Sequence, residues 1–225
     1  MNINKLKNQI INEITGEKGM HITGSWESDL EKLIVEVDTL SIFNPISRRS
    51  YCHNNIEAGD VELDLIHVNS HSLSRFLEHS DECVIMSATL GPRVDSKMAI
   101  LQMTDMAKAY LYDLVCLHYF EMKLDEWEVD LRDAVETENK HLTNRFSPGY
   151  GDLSLDIQGD VLTYLDAQKR VGIELTENNL MIPQKSVTAI LGIGNKPFDN
   201  SYSRCDACLR RDRCTVKGGG RCEFI

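Results

Sequence analysis

The spacing of apolar residues predicts the first elements of the chain. Over residues 3–14, Ile and Leu recur at helical spacing between Lys, Asn and Glu, which predicts an amphipathic helix. Residues 33–37 form a short β-branched run, and the Asn-Pro pair at 44–45 marks a turn beyond it, so we expect a strand there. Apolar and acidic residues alternate over 60–68, and residues 70–79 return to helical spacing.

A buried strand and a long helical stretch follow. Residues 83–89 read as a buried strand, and the breaker sequence TLGP at 89–92 predicts a loop after it. Over 96–139, apolar positions keep helical spacing for longer than a usual globular helix. Either one long helix or two helices broken near Asp125 fits this pattern. We expect the acidic run over 125–138 to be a solvated helix face.

The last third of the chain mixes loop, helix and strand patterns. Residues 145–150 read RFSPGY, where Pro removes a backbone N–H and Gly permits positive φ, which indicates a shaped loop. Residues 155–167 have helical spacing, and 172–176 and 186–192 predict two strands separated by a turn at 178–179. We expect an α+β fold, with a twisted antiparallel or mixed sheet flanked by helices and a small cysteine-rich appendage.

Charge and hydropathy narrow the possible partners. The 35 acidic and 24 basic residues give a formal net charge of -11, the wrong sign for a phosphate backbone, so we expect no nucleic-acid partner. No stretch approaches the roughly 20 apolar residues that span a bilayer, and the amino-terminal segment lacks the apolar core of a signal peptide. We therefore expect no membrane partner and a cytoplasmic location.

The seven cysteines divide into two groups. Cys52, Cys83 and Cys116 are scattered, and we expect them to be buried or half-buried thiols. The other four crowd into a tail: Cys205, Cys208, Cys214 and Cys222. Four thiolates in one short segment suit tetrahedral zinc or an iron–sulfur cluster, and the spacing does not choose between them. Four free thiols in a frayed tail are the alternative. We expect residues 1–195 to form the main domain and 196–225 the tail.

Positive charge surrounds the tail cysteines. The basic residues there are Arg204, Arg210, Arg211, Arg213, Lys217 and Arg221. Such a patch would stabilise the negative charge of a cluster or dock an acidic redox partner.

Two segments carry candidate binding chemistry. Within 145–150, an arginine, a rigid Pro-Gly turn and an aromatic ring suit the clamping of a carboxylate and stacking on a flat ring. A surface turn with a solvated arginine is the alternative. Residues 180–187 place a second Pro-containing turn just ahead of a strand.

The order of these segments resembles a known family. Thr89-Leu90-Gly91, a long helix, RFSPGYGD at 145–152 and GIELTENNLMIPQKSV at 172–187 resemble the activation domain of cobalamin-dependent methionine synthase, particularly its stand-alone forms. The resemblance covers roughly residues 80–195. It implies that domain's α+β fold and binding of S-adenosylmethionine.

The resemblance also implies particular ligand-binding residues. In the family, the arginine and tyrosine of an R-x-x-P-G-Y loop, the backbone between them and a glutamate on the preceding helix hold the ligand. The matching loop residues here are Arg145, Ser147, Pro148, Gly149 and Tyr150. For the glutamate the candidate is Glu121, with Glu126 and Glu128 close by. No motif here matches the family's amino-terminal acidic contact.

The implied function is reductive methylation of cob(II)alamin on a partner, with S-adenosylmethionine as methyl donor. The partner would be a methionine synthase without its own activation domain or another corrinoid methyltransferase. A flavodoxin- or ferredoxin-like protein would supply the electron. No catalytic general base is expected, because the cobalt is itself the nucleophile. The alternatives are a non-catalytic module that binds a corrinoid protein and senses redox state through the tail, and a zinc-dependent interaction domain.

Overall fold

An antiparallel sheet lies at the centre of the protein. The computed structural model describes residues 3–15 and 24–198, so the four tail cysteines lie outside the described residues. Within that part of the chain the strands are β1 (Asn44–Asn55), β2 (Asp60–Leu63), β3 (Ile66–Asn69), β4 (Glu82–Thr89), β5 (His141–Leu142), β6 (Glu174–Leu175), β7 (Met181–Ile182) and β8 (Ser186–Gly194). Six of them form one sheet in the order β3-β2-β1-β4-β8-β5, and β6 pairs with β7 separately.

Helices cover the sheet. They are α1 (Ile3–Thr15), α2 (Gly24–Leu40), α3 (His71–Phe76), α4 (Pro92–Thr104), α5 (Met106–Glu136), α6 (Ile157–Tyr164) and α7 (Ala167–Val171). The expected α+β fold with an antiparallel sheet flanked by helices is therefore confirmed. No helix among the described residues is both long and apolar enough to cross a membrane.

The two faces of the sheet have separate cores. Successive residues of a strand point to opposite faces, so Val84 and Met86 of β4 pack with α1, α2, α4 and α5, whereas Cys83 and Ile85 pack with α3, α6 and α7. Both sets of side chains are buried. The central strands are covered on both sides, which explains the nearly continuous apolar sequence of β4.

The three described cysteines are buried, as expected. Burial raises the pKa of the Cys52 thiol to about 11 and that of the Cys116 thiol to about 12. Burial also raises the pKa of Cys83. All three thiols therefore stay protonated at neutral pH and have the character of packing residues.

The strand expected at 33–37 is wrong, because these residues lie within α2. Leu30, Ile34 and Val37 are at most 1% exposed, whereas Val35 is 51% exposed. Positions i, i+4 and i+7 share one face of a helix, and that face packs against α5. Burial of the apolar face outweighs the local preference of β-branched residues for strands.

Two expected breaks are also wrong. The Asn-Pro pair at 44–45 begins β1 and pairs with Thr89 and Ala88 of β4. The loop expected after TLGP is absent: Gly91 has a φ of 86°, and Pro92 takes the first position of α4. Proline favours this position because its missing N–H would have no helical partner there.

The long helical stretch is broken at Asp105 and not near Asp125. The Asp105 carboxylate accepts a hydrogen bond from the Lys108 N–H at 3.1 Å and so caps the start of α5. From there α5 runs unbroken for 31 residues past Asp125. A single helix therefore carries Glu121, the candidate glutamate, together with Asp125 and Glu128 of the acidic run.

Candidate functional site

The edge of the sheet positions the predicted ligand loop. After β5 the chain continues beside β8, where the Thr143 N–H donates to the Gly192 carbonyl at 2.9 Å. Phe146 and Ile190 then exchange two backbone hydrogen bonds of 2.9 and 2.8 Å. Arg145 directly precedes this pair, so the main chain that carries its guanidinium is fixed to a strand of the sheet.

Beyond Phe146 the chain makes the tight turn that the Pro-Gly pair predicts. Pro148 is buried, and Gly149 has a φ of 93°, in the region that favours glycine. The Gly149 N–H donates to the Leu153 carbonyl at 2.8 Å, and the Tyr150 N–H donates to the Ser147 carbonyl at 3.1 Å. The backbone of the predicted loop residues is therefore ordered by its own hydrogen bonds.

Packing between aromatic rings fixes the position of Phe146 and Tyr150 beside this turn. The buried Phe146 ring lies 4.9 Å from the Phe76 ring and 5.6 Å from the Tyr150 ring, measured between centroids. The Tyr150 ring meets Phe146 edge to face and is itself half-buried. Part of the Tyr150 ring stays accessible while its orientation is set by the core.

Asp152 anchors the far end of the loop to α3. Its carboxylate accepts hydrogen bonds from the Ser70 hydroxyl at 2.5 Å and from the backbone N–H groups of His71 and Ser72, both at 3.0 Å. Partial burial opposes ionisation of this carboxyl, but the hydrogen bonds from Ser70, Ser72 and His71 outweigh burial and lower its pKa. The anchor joins residues about 80 positions apart in the sequence.

We expect Asp152→Asn to destabilise the protein by about 1 kcal/mol at neutral pH, because it removes the charge from hydrogen bonds that are partly exposed to water. A lowered pKa stabilises the fold above the ordinary value of 3.8, and this contribution is lost as the pH falls through the folded-state pKa. Urea unfolding of both proteins between pH 7 and pH 3 would measure the difference. If the difference in unfolding free energy between the two proteins is the same at pH 3 as at pH 7, the ionised Asp152 carboxylate does not stabilise the fold as described.

The Arg145 guanidinium is surrounded by carboxylates of α5. Its Nε lies 3.0 Å from Glu128, and its Nη2 lies 2.7 Å from Asp125 and 3.2 Å from Glu121. These positions follow the i, i+4, i+7 spacing of one helical face. The Arg145 side chain is only 10% exposed. The alternative of a solvated arginine on a surface turn is therefore wrong.

Glu128 is the most enclosed of these carboxylates. It is 14% exposed and also pairs with Arg132 at 2.9 Å. Arg132 in turn donates to the Leu142 carbonyl at 2.5 Å and so ties α5 to β5. The expectation that the acidic run is a solvated face is wrong at Glu128, although Asp125 within the same run is 70% exposed. Arg145, the partner of Glu128, lies 17 positions away in the sequence. The sequence of α5 alone therefore could not predict that Glu128 is buried in an ion pair.

The structure leaves one terminal nitrogen of Arg145 available. The carboxylates occupy Nε and Nη2, and no described residue accepts a hydrogen bond from Nη1. Glu121, the candidate for the ligand's ammonium group, contacts Arg145 through Oε2 and is 40% exposed. The neighbouring candidate Glu126 instead pairs with Lys123 at 2.8 Å.

The second candidate segment lies against the amino-terminal part of the same helix. Lys185 pairs with Asp113 of α5 at 2.7 Å, and the Gln184 N–H donates to Asp95 of α4 at 2.6 Å. Within this second segment, the peptide bond between Ile182 and Pro183 is cis. Asp113 precedes Glu121 by eight residues, or about 12 Å along the helix. Both predicted segments therefore contact α5, about two turns apart.

Other features of the described residues lie away from this site. A cavity of ≈ 510 Å³ is lined by residues of α6, α7 and β6, including Thr163, Gln168 and Glu174, and by none of the predicted loop residues. The described residues contain no group of three or more His, Cys, Asp or Glu side chains that could hold a metal ion. The predicted metal ligands of the tail lie outside the described residues.

Neither a known protein family nor a curated protein matches the sequence. Among solved structures, the crystal structure of the MetH reactivation domain bound to AdoHcy matches with a TM-score of 0.59 and 15% sequence identity. The match covers 85% of this chain and 76% of that chain. At this identity the likeness establishes the fold alone. The chain has a fold similar to that of the MetH reactivation domain.

Proposed function

We propose that this protein binds S-adenosylmethionine at the Arg145 loop and supports reductive methylation of cob(II)alamin on a partner protein. The observation that carries the proposal is the Arg145 side chain, which is 10% exposed and whose Nη1 has no described hydrogen-bond partner. Although Arg145 is already paired with three carboxylates, the N–H groups of Nη1 can still donate to a ligand oxygen such as that of an amino acid's α-carboxylate. The fold shared with the MetH reactivation domain supports the same assignment.

Each residue of the loop has a role in this proposal. Arg145 would pair with the ligand's carboxylate, and Glu121 would accept from its ammonium group through an oxygen that Arg145 does not use. Ser147, Pro148 and Gly149 would present backbone groups to the ligand. Tyr150 would hold the ligand at the surface that meets the corrin ring, because Phe146 fixes the tyrosine ring while leaving it partly accessible.

S-adenosylmethionine would supply an activated methyl group. One electron from a flavodoxin- or ferredoxin-like donor would reduce the partner's cob(II)alamin to cob(I)alamin, and the cobalt of cob(I)alamin would supply the electron pair that attacks the methyl group. A cobalt–carbon bond forms, the carbon–sulfur bond breaks and its electron pair stays on sulfur. The residues of this chain would orient the ligand and exclude water, and no general base is required.

The partner and the tail belong to the same proposal. The partner would be a cobalamin-dependent methionine synthase without its own activation domain or another corrinoid methyltransferase, and both proteins would act in the cytoplasm. Residues 1–195 would form the ligand-binding domain. The four tail cysteines would hold an iron–sulfur cluster or zinc, which iron, sulfide and zinc analysis of anaerobically purified protein distinguishes.

We expect the wild-type protein to bind S-adenosylmethionine in the micromolar range. Calorimetric titration into anaerobically purified protein would measure the affinity. Transfer of a labelled methyl group to the reduced cobalamin of a candidate partner would then test the reaction. If the well-folded wild-type protein does not bind the ligand, the proposal is wrong, and a non-catalytic module that senses redox state through the tail becomes the better interpretation.

A further inference from the structure

The three carboxylates around Arg145 are not equivalent. Glu128 is 14% exposed and is also held by Arg132, so it forms a fixed part of the site. Asp125 is 70% exposed, yet it makes the shortest contact with Arg145, at 2.7 Å. An exposed carboxylate is well hydrated whether or not it is paired, so its ion pair with arginine is easily exchanged.

Asp125 occupies a donor that a ligand carboxylate would need. A bidentate pair between arginine and a carboxylate uses two N–H groups that point the same way, either from both terminal nitrogens or from Nε and one terminal nitrogen. Only Nη1 is without a described partner, because Nη2 serves Asp125 and Glu121 and Nε serves Glu128. A bidentate ligand pair therefore requires release of a contact at Nη2, and the exposed Asp125 is the contact that breaks most readily.

We propose that Asp125 is a positioning residue that competes with the ligand's carboxylate for Arg145. In the free protein it holds the guanidinium in place, and on binding it is displaced into water while Glu128 keeps the arginine oriented. Binding of the ligand then replaces one carboxylate by another at the same cation. This inference rests on the proposed function, because it assumes that the ligand carries a carboxylate to Arg145.

The test is calorimetric titration of S-adenosylhomocysteine into wild-type protein and Asp125→Ala. This probe has the carboxylate without the sulfonium charge, so it isolates the competition at Arg145. We expect Asp125→Ala to bind roughly two- to fivefold more tightly, in line with the strength of an exposed ion pair. The matched control is Asp130→Ala, an exposed carboxylate on another face of α5, which should leave the affinity unchanged.

Two further measurements separate competition from a structural effect. Methylthioadenosine lacks the amino-acid part, so its affinity should be the same for both proteins. In an Arg145→Lys background, Asp125→Ala should no longer tighten binding by the same factor, because the two residues act through one contact. Unchanged or weaker binding of S-adenosylhomocysteine by Asp125→Ala would overturn the competition while leaving the proposed function intact. No binding of either S-adenosyl ligand by the wild-type protein would overturn both.

Discussion

Arg145→Ala should weaken S-adenosylmethionine binding by roughly ten- to hundredfold, because it removes the buried cation that would pair with the ligand's carboxylate. The same change leaves the mostly buried Glu128 without its Arg145 partner, so some loss of stability is also expected. Calorimetric titration measures the affinity, and circular dichroism and thermal unfolding show whether the variant is folded.

Two further variants make the Arg145 result specific. Arg145→Lys keeps a positive charge near the carboxylates but loses the planar fork, so it should fold like the wild type and still bind weakly. Arg93→Ala removes an exposed arginine of α4 and should bind like the wild type. A folded Arg145→Ala protein with wild-type affinity would show that the ligand is held elsewhere, and the ≈ 510 Å³ cavity beside α6 and α7 would be the next place to examine.

The ligand loop could be predicted from sequence because its shape is set locally. Pro148 fixes its own φ and Gly149 permits a positive φ, and the turn that they predict is present, with Gly149 at a φ of 93°. The carboxylates around Arg145 could not be predicted in the same way. Asp125 and Glu121 lie 20 and 24 positions before Arg145, and their approach depends on how α5 is rotated against the sheet.

In the fold as well, some elements are determined by their own sequence and others by contacts with segments that are distant in the sequence. β4 is apolar on both faces and was predicted, whereas β1 reads NPISRRSYCHNN and has no apolar alternation that would predict a strand. β1 is a strand because β2 and β4 pair with its two edges. Its order therefore comes from neighbours that are distant in sequence. The strand predicted at residues 33–37 is wrong for a local reason. A mostly apolar, β-branched window of five residues is too short to show the helical period of the buried face of α2.

A large loss of stability is expected from substitution of Gly194, the last residue of β8. A Cβ there would lie 2.1 Å from the His79 backbone carbonyl oxygen, and backbone cannot move aside as a flexible side chain can. Gly194→Ala should therefore cost about 3 kcal/mol or more of unfolding free energy. Gly159→Ala is the matched control, because its Cβ would meet only Leu175 at 3.9 Å. Within α6 it should be neutral or stabilise by up to about 1 kcal/mol.

Urea unfolding of both glycine variants against the wild type would measure these free energies, with the slope of the transition checked for two-state behaviour. β8 also carries Ile190, which fixes Phe146 and hence the Arg145 loop. Strain at Gly194 should therefore weaken ligand binding as well as stability, whereas Gly159→Ala should leave binding unchanged. A Gly194→Ala protein as stable as the wild type would mean that the end of β8 does not pack this closely against residue 79.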